Sequence, residues 1–139
     1  MKVKAGASGW SDGRLVVRTF GHDLEVDTKG KEGPPPMALL LTSLGGCHVA
    51  ILKHVLRLMK IDWEEIELDL EAEETKVEPK VYTDIHLAYE ITGTDLDERK
   101  LQRAVALAEK YCSVSVMLED AGVNVTLDVR AIEALPARS

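Results

Sequence analysis

Residues 34–60 read PPPMALLLTSLGGCHVAILKHVLRLMK. From Pro34 to Leu52 the run is apolar apart from Thr42, Ser43 and His48, and Lys53 ends it. A helix is predicted from Met37 to Lys60. The prolines preset its first turn, and Lys53, Arg57 and Lys60 place cations toward the negative end of its macrodipole. A membrane span needs about 20 apolar residues, and strand-like segments follow directly, so the stretch reads as a buried core or interface helix. Two glycines, Gly45 and Gly46, interrupt it immediately before Cys47. Each costs roughly 0.5–1 kcal/mol relative to alanine inside a helix. A close approach of another element to Cys47 would offset that cost.

Upstream of this helix the pattern is of short strands. Lys2–Ser8 is one. Arg14–Phe20 is a second, bounded by Ser11-Asp12-Gly13 and Gly21, and His22–Asp27 is a third. Thr28–Pro36 reads as a loop. Downstream, Ile66, Leu68, Leu70 and Ala72 alternate with acids inside Glu64–Glu74. Val81, Thr83, Ile85, Leu87, Tyr89 and Ile91 alternate in the next run. Both patterns fit strands with one face in a core. The short link containing Pro79 predicts an antiparallel hairpin.

Asp95 or Asp97 is placed to cap the next helix, with Glu98 in its first turn. Leu101, Ala104, Val105 and Ala108 form its apolar stripe, which reaches Tyr111-Cys112. Ser113 is placed to cap a further helix to Asp120, with Gly122 as its C-terminal glycine. Val123–Val129 alternates as a last strand, and Ala131–Ser139 shows no pattern beyond Pro136. The order is βββ-α-ββ-α(α)-β, an α+β fold with a sheet packed on a long apolar central helix. The 139 residues fit a single domain spanning 1–139. The central helix is apolar on more sides than one sheet can cover, which predicts a homodimer.

Composition excludes several roles. A net charge of -7 argues against DNA or RNA as a partner, and 4% aromatic residues leave little for base stacking. The N-terminal MKVKAGASGW has no apolar core of a signal peptide. The expected setting is therefore the cytoplasm, where a static disulfide is not expected.

The residues that carry chemistry are few. Cys47 and Cys112 are the only cysteines. Free cysteine often serves as a small buried hydrophobe. Against that, Cys112 stands where a helix begins, a place that favours thiolate, and the glycines open space beside Cys47. A redox pair accounts for both observations. Zinc is the next option, with His22, His48, His54 and His86 as further ligands. No C-x-x-C or H-x-x-x-H spacing occurs, so solvent-facing histidines are expected instead. His54 lies two turns beyond Cys47, about 10 Å along the axis, out of reach of its thiol. No G-x-S-x-G elbow and no phosphate-binding glycine loop after a strand is present.

PPPMALLLTSLGGCHVAIL together with EKYCSVSVMLEDAGVNV resembles the OsmC/Ohr family, the osmotically inducible and organic hydroperoxide resistance proteins. The resemblance covers nearly the whole chain and looks closest to the branch of OsmC-like redox proteins. It implies an OsmC-like fold as an intertwined homodimer with sites at the subunit interface. It implies a thiol peroxidase in which Cys47 attacks an organic hydroperoxide and Cys112 resolves the product as a disulfide. A dithiol reductant, typically a lipoylated protein, would restore both thiols, with no cofactor, no metal and no membrane involved. Three departures stand out, one of them Ser113, where a proline often follows the second cysteine. Met37 occupies the position where the peroxidase branches carry a glutamate, and neither Arg14 nor Arg18 falls clearly in the motif of their activating arginine. These departures leave a second expectation, a non-catalytic redox-sensing or small-molecule-binding dimer.

Overall fold

A computed structural model describes residues 1–135. Pro136, in the expected patternless tail, lies outside the described residues. The element order is βββ-α-ββ-α-α-β, as read from the sequence. The strands divide into two three-stranded sheets, and the described residues cluster into two compact units that meet between Thr42 and Ser43 in sequence.

In the first unit, β1 (Ala5–Gly9), β2 (Arg14–Thr19) and β3 (His22–Asp27) form an antiparallel meander. The second strand stops one residue short of the expected Phe20. Phe20 has φ 51° and Gly21 φ 75°, and Thr19 pairs with His22. Two positive-φ residues between paired strand ends make the tight hairpin whose twist matches its strands. The first strand begins at Ala5 rather than Lys2 because its pairing with β2 starts at Ala5↔Thr19. After β3, the buried Asp27 carboxylate accepts hydrogen bonds from the backbone N–H groups of Lys29, Lys31 and Glu32 at 2.9, 3.2 and 3.0 Å. That cage shapes the loop leading to the helix.

The helix α1 (Pro36–Leu58) begins in the first unit and runs into the second. It ends two residues before the expected Lys60. Lys60 adopts φ 58°, Ile61 N–H donates to Leu56 C=O at 2.9 Å, and Lys60 N–H donates to Arg57 C=O at 3.1 Å. This paired reverse bonding satisfies the last carbonyls, here with lysine where glycine is usual. By length and hydropathy α1 passes for a membrane span, yet Leu44, His48, Leu52, Val55 and Leu56 are buried within the fold.

In the second unit, β4 (Glu65–Glu74) and β5 (Tyr82–Gly93) form the expected antiparallel hairpin. A register shift at Glu73/Glu74 sets Asp84 opposite Glu73 and Tyr82 opposite Glu74. The extra residue reverses the alternation at the start of β5. Tyr82 is therefore buried and Val81 exposed, whereas Ile85, Leu87, Tyr89 and Ile91 are buried as expected. The chain then crosses over through α2 (Glu98–Tyr111) and α3 (Ser113–Asp120) to β6 (Asn124–Glu133), which pairs parallel to β5. A crossover of this length is what parallel neighbours require. Pairing continues to Gly93↔Glu133, so Ala131–Glu133, expected as patternless tail, belong to the strand.

Asp97 caps α2, its carboxylate accepting from Arg99 N–H at 2.9 Å. Leu101, Ala104, Val105 and Ala108 are buried in the core with Leu52, Val55 and Leu56 of α1, Tyr89 and Ile91 of β5, and Val129 of β6. The helices α1 and α2 thus cover one face of the β4-β5-β6 sheet. The N-cap of α3 is Cys112, one residue before the expected Ser113, and Gly122 (φ 96°) follows its C-terminus as expected.

Candidate functional site

Gly45 and Gly46 serve different ends. A Cβ at Gly45 would lie 3.0 Å from Leu70 Cδ1, so the close approach this glycine permits is to β4, not to the segment carrying Cys112. A Cβ at Gly46 would meet no atom within 4 Å. The expected close approach of another element beside Cys47 is met at Gly45 by the sheet, which sets the size of that residue.

The fold nevertheless brings the two cysteines together. Cys112 is the C-cap of α2 and the N-cap of α3, with extended backbone (φ -77°, ψ 111°) and a fully buried side chain. With a cysteine as N-cap, no side-chain oxygen caps the N-terminus of α3. The Cys47 sulfur of α1 lies there instead. Partial burial opposes its ionisation, but the N–H of Val114, the thiol of Cys112 and the N–H of Ser113 outweigh it and hold Cys47 below the ordinary thiol value. A helix N-terminus stabilises thiolate in this way. Cys112 moves oppositely. Burial pushes it up to about 11, and its bond to Cys47 adds to the rise, so its S–H is the donor of the pair. Both cysteines are free. One thiol poised to ionise beside one that keeps its proton is an asymmetric pair suited to nucleophilic attack followed by disulfide closure.

Behind the thiols lies a polar cluster. His22, His54 and His86 are exposed, as expected, but His48 is fully buried, which corrects the reading of all four histidines as solvent-facing. Its Nδ1 is 2.6 Å from the Tyr89 hydroxyl and its Nε2 is 3.0 Å from Glu109 Oε2. Burial of Glu109 is outweighed by hydrogen bonds from His48, Glu119 and Ser115, and its carboxyl is held down at about 2. An ionised Glu109 can only accept, so Nε2–H is the donor. Burial pushes the Tyr89 phenol well up, so it keeps its proton while bonded to Nδ1. Ser115 Oγ–H donates to Glu109, and Glu119 approaches the same hydroxyl at 3.4 Å. The hydrogen bond to Glu109, then burial, raises Glu119 to about 7. Among the described residues no buried side-chain polar atom lacks a partner.

Glu109, Tyr89 and Ser115 escaped the sequence reading. A signal existed for Glu109. It falls at the next position of the stripe Leu101, Val105, within the last turn of α2, where a carboxylate needs a buried partner.

Ile51, His54, Val55 and Leu58 of α1, Met59 after it, and Leu107 and Tyr111 of α2 line an apolar groove of about 410 Å³. Ile51 lies one turn beyond Cys47, and Tyr111 directly precedes Cys112. The arginines considered as thiol activators have partners within the first unit. Arg14 pairs with Asp12 at 2.8 Å, and Arg18 donates to Ser8 Oγ at 2.6 Å. Among the described residues no cluster of three or more His, Cys, Asp or Glu side chains is placed to hold a metal ion.

Known proteins share this architecture. The OsmC-like protein of Mycoplasma pneumoniae superposes with a TM-score of 0.85 at 16% identity, covering 95% of this chain and 98% of that one. The organic hydroperoxide resistance protein OhrB of Bacillus subtilis superposes with a TM-score of 0.71 at 22% identity, covering 94% and 98%. In sequence, Protein YhfA of Escherichia coli K12 is 37% identical over 129 residues, 90% of this chain and 96% of YhfA. The sequence model of the family described as OsmC-like protein matches residues 28–128. With that match spanning both cysteines and most of the sequence, the chain belongs to the OsmC-like protein family.

Proposed function

We propose that the protein is a thiol-dependent peroxidase that reduces organic hydroperoxides, with Cys47 as nucleophile and Cys112 as resolving thiol. The observation that carries this reading is the asymmetry of the pair: Cys47 lowered by the N-terminal amides of α3, Cys112 raised by burial. Membership of the OsmC-like family, and the hydroperoxide resistance named for its structural neighbour OhrB, point the same way.

In the proposed cycle the Cys47 thiolate attacks the terminal oxygen of the hydroperoxide. The O–O bond breaks, the alkoxide leaves and takes up a proton as the alcohol, and Cys47 becomes a sulfenic acid. Cys112 then attacks that sulfur. The S–O bond breaks, hydroxide leaves with the Cys112 proton as water, and a disulfide forms. An external dithiol, such as a lipoylated protein, returns both thiols and is itself oxidised to a disulfide. In this reading the apolar groove lined by α1 and α2 takes the hydrocarbon body of the substrate, which favours organic hydroperoxides over hydrogen peroxide. No metal or organic cofactor takes part in this scheme. The protein is proposed to work in the cytoplasm as a homodimer, the partner covering apolar α1 residues such as Leu40 and Leu58 that one chain leaves exposed.

Met37 supports a second reading, a redox-sensing or ligand-binding dimer, because the acidic residue expected near the thiol is absent there. Thiol titration after a stoichiometric pulse of cumene hydroperoxide separates the two. Loss of both thiols per chain, repeated over many turnovers with dihydrolipoamide and abolished in Cys47→Ser, is the peroxidase result. Thiols that survive the pulse leave the second reading.

A further inference from the structure

The amides that face Cys47 belong to the first turn of an eight-residue helix. A helix that short does not hold its position by its own propensity. Its N-cap, Cys112, offers the first turn only a thiol sulfur, a weak acceptor. Something else must fix the direction of those N–H groups.

The buried cluster supplies the connection. His48 is the residue after Cys47 on α1 and donates to Glu109 on α2. Glu109 in turn receives the hydroxyl of Ser115, whose backbone lies in the first turn of α3. The Ser115 N–H also bonds the Cys112 sulfur. On its far side, His48 is held by Tyr89 in the central strand. One chain of hydrogen bonds thus runs from the residue beside Cys47, through a carboxylate, to the turn whose amides face the Cys47 sulfur. We propose that His48, Glu109 and Ser115 are positioning residues that hold the first turn of α3 against Cys47 and so set the reactivity of its thiol.

The inference rests on the peroxidase reading for its purpose, but its test does not. The alternative is that the cluster only satisfies its own buried groups. A carboxylate and an imidazole are costly fillers for that role, since apolar residues of similar volume are often as good or better for stability. Their retention has an account if they hold a geometry that apolar contacts would leave loose.

The experiment measures alkylation of Cys47 by iodoacetamide as a function of pH, resolved by peptide mass spectrometry, on wild type, Ser115→Ala, Glu109→Gln and Ser115→Thr. No peroxide is present, so failure of the peroxidase reading leaves the result interpretable. Ser115→Ala and Glu109→Gln are expected to raise the midpoint by about one pH unit, an approximately tenfold slower reaction below it. Ser115→Thr, which keeps the hydroxyl, is expected to titrate like wild type. Val105→Ala, a core truncation on α2 with no polar atom involved, controls for general loosening. A folded Ser115→Ala with an unchanged Cys47 midpoint overturns the proposal. So does a Val105→Ala midpoint that moves as far as that of Ser115→Ala.

Discussion

Adjacent glycines in one helix offer a test with opposite signs. At Gly46, exposed and with no atom within 4 Å of an added Cβ, alanine brings only its helix propensity. Gly46→Ala is expected to stabilise the chain by roughly 0.5–1 kcal/mol. At Gly45 the Cβ alone would lie 3.0 Å from Leu70 Cδ1 and 3.9 Å from Leu68 Cδ2. Valine adds two further carbons where β4 already stands, and overpacking of this kind costs about 1–3 kcal/mol. For a chain of this length, 1 kcal/mol moves the melting temperature by about 3–4 °C. Gly46→Ala should therefore melt about 2–4 °C above wild type, and Gly45→Val about 3–12 °C below it. Differential scanning calorimetry of the reduced protein measures both. A Gly45→Val that melts with wild type would refute the close approach of β4. A Gly46→Ala that melts lower, increasingly so on dilution, would refute the open space and place another molecule against that face.

Three more outcomes follow from the site. Tyr89→Phe leaves the buried His48 Nδ1 without its partner and should cost about 1–3 kcal/mol in urea denaturation with an unchanged m-value; full stability would mean that this hydroxyl is dispensable. Glu119 titrates near 7 in the fold, raised by Glu109 and Asp120 around it, against 4.5 for the ordinary group. Between those values the folded chain holds the extra proton, so stability from this group is complete below about 4.5 and declines as pH rises through about 7. Melting temperature should fall over that window in wild type and not in Glu119→Gln, and parallel curves would remove the assignment. In Cys112→Ser the oxidised Cys47 should persist as a sulfenic acid that dimedone traps, whereas wild type escapes the label by closing its disulfide. Equal labelling of the two would dismiss Cys112 as the resolving thiol.

Most elements were legible in the sequence because their periodicity is clean. The stripe Leu101, Ala104, Val105, Ala108 and the alternation Ile85, Leu87, Tyr89, Ile91 are both buried as their spacing implies. The errors sit where backbone conformation or pairing overrides pattern. Phe20 is apolar and strand-like yet lies in a positive-φ turn, and Ala131–Glu133 lack a distinctive alternation yet are held by β5. The two cysteines were visible as residues. Their contact was not, since it depends on α3 presenting its N-terminus to α1. His48 was misread because the absence of ligand spacing says nothing of partners on other elements, and Glu109 and Tyr89 arrive from α2 and β5.

The parallel pairing of β6 with β5 has a consequence for biosynthesis. The central strand of the second sheet is also its most apolar, and its final neighbour is encoded last, at residues 124–133. Until that segment leaves the ribosome, β5 presents an open edge of unpaired amides and carbonyls, the kind that recruits strands from other chains. The hairpin partner β4, the outer strand of the finished sheet, turns Glu65, Glu67, Asp69, Glu71 and Glu73 toward water. That row of like charges repels its counterpart on any neighbouring nascent chain. The acidity that looks like mere surface decoration on the folded molecule would then act earliest, as a guard over a half-built sheet.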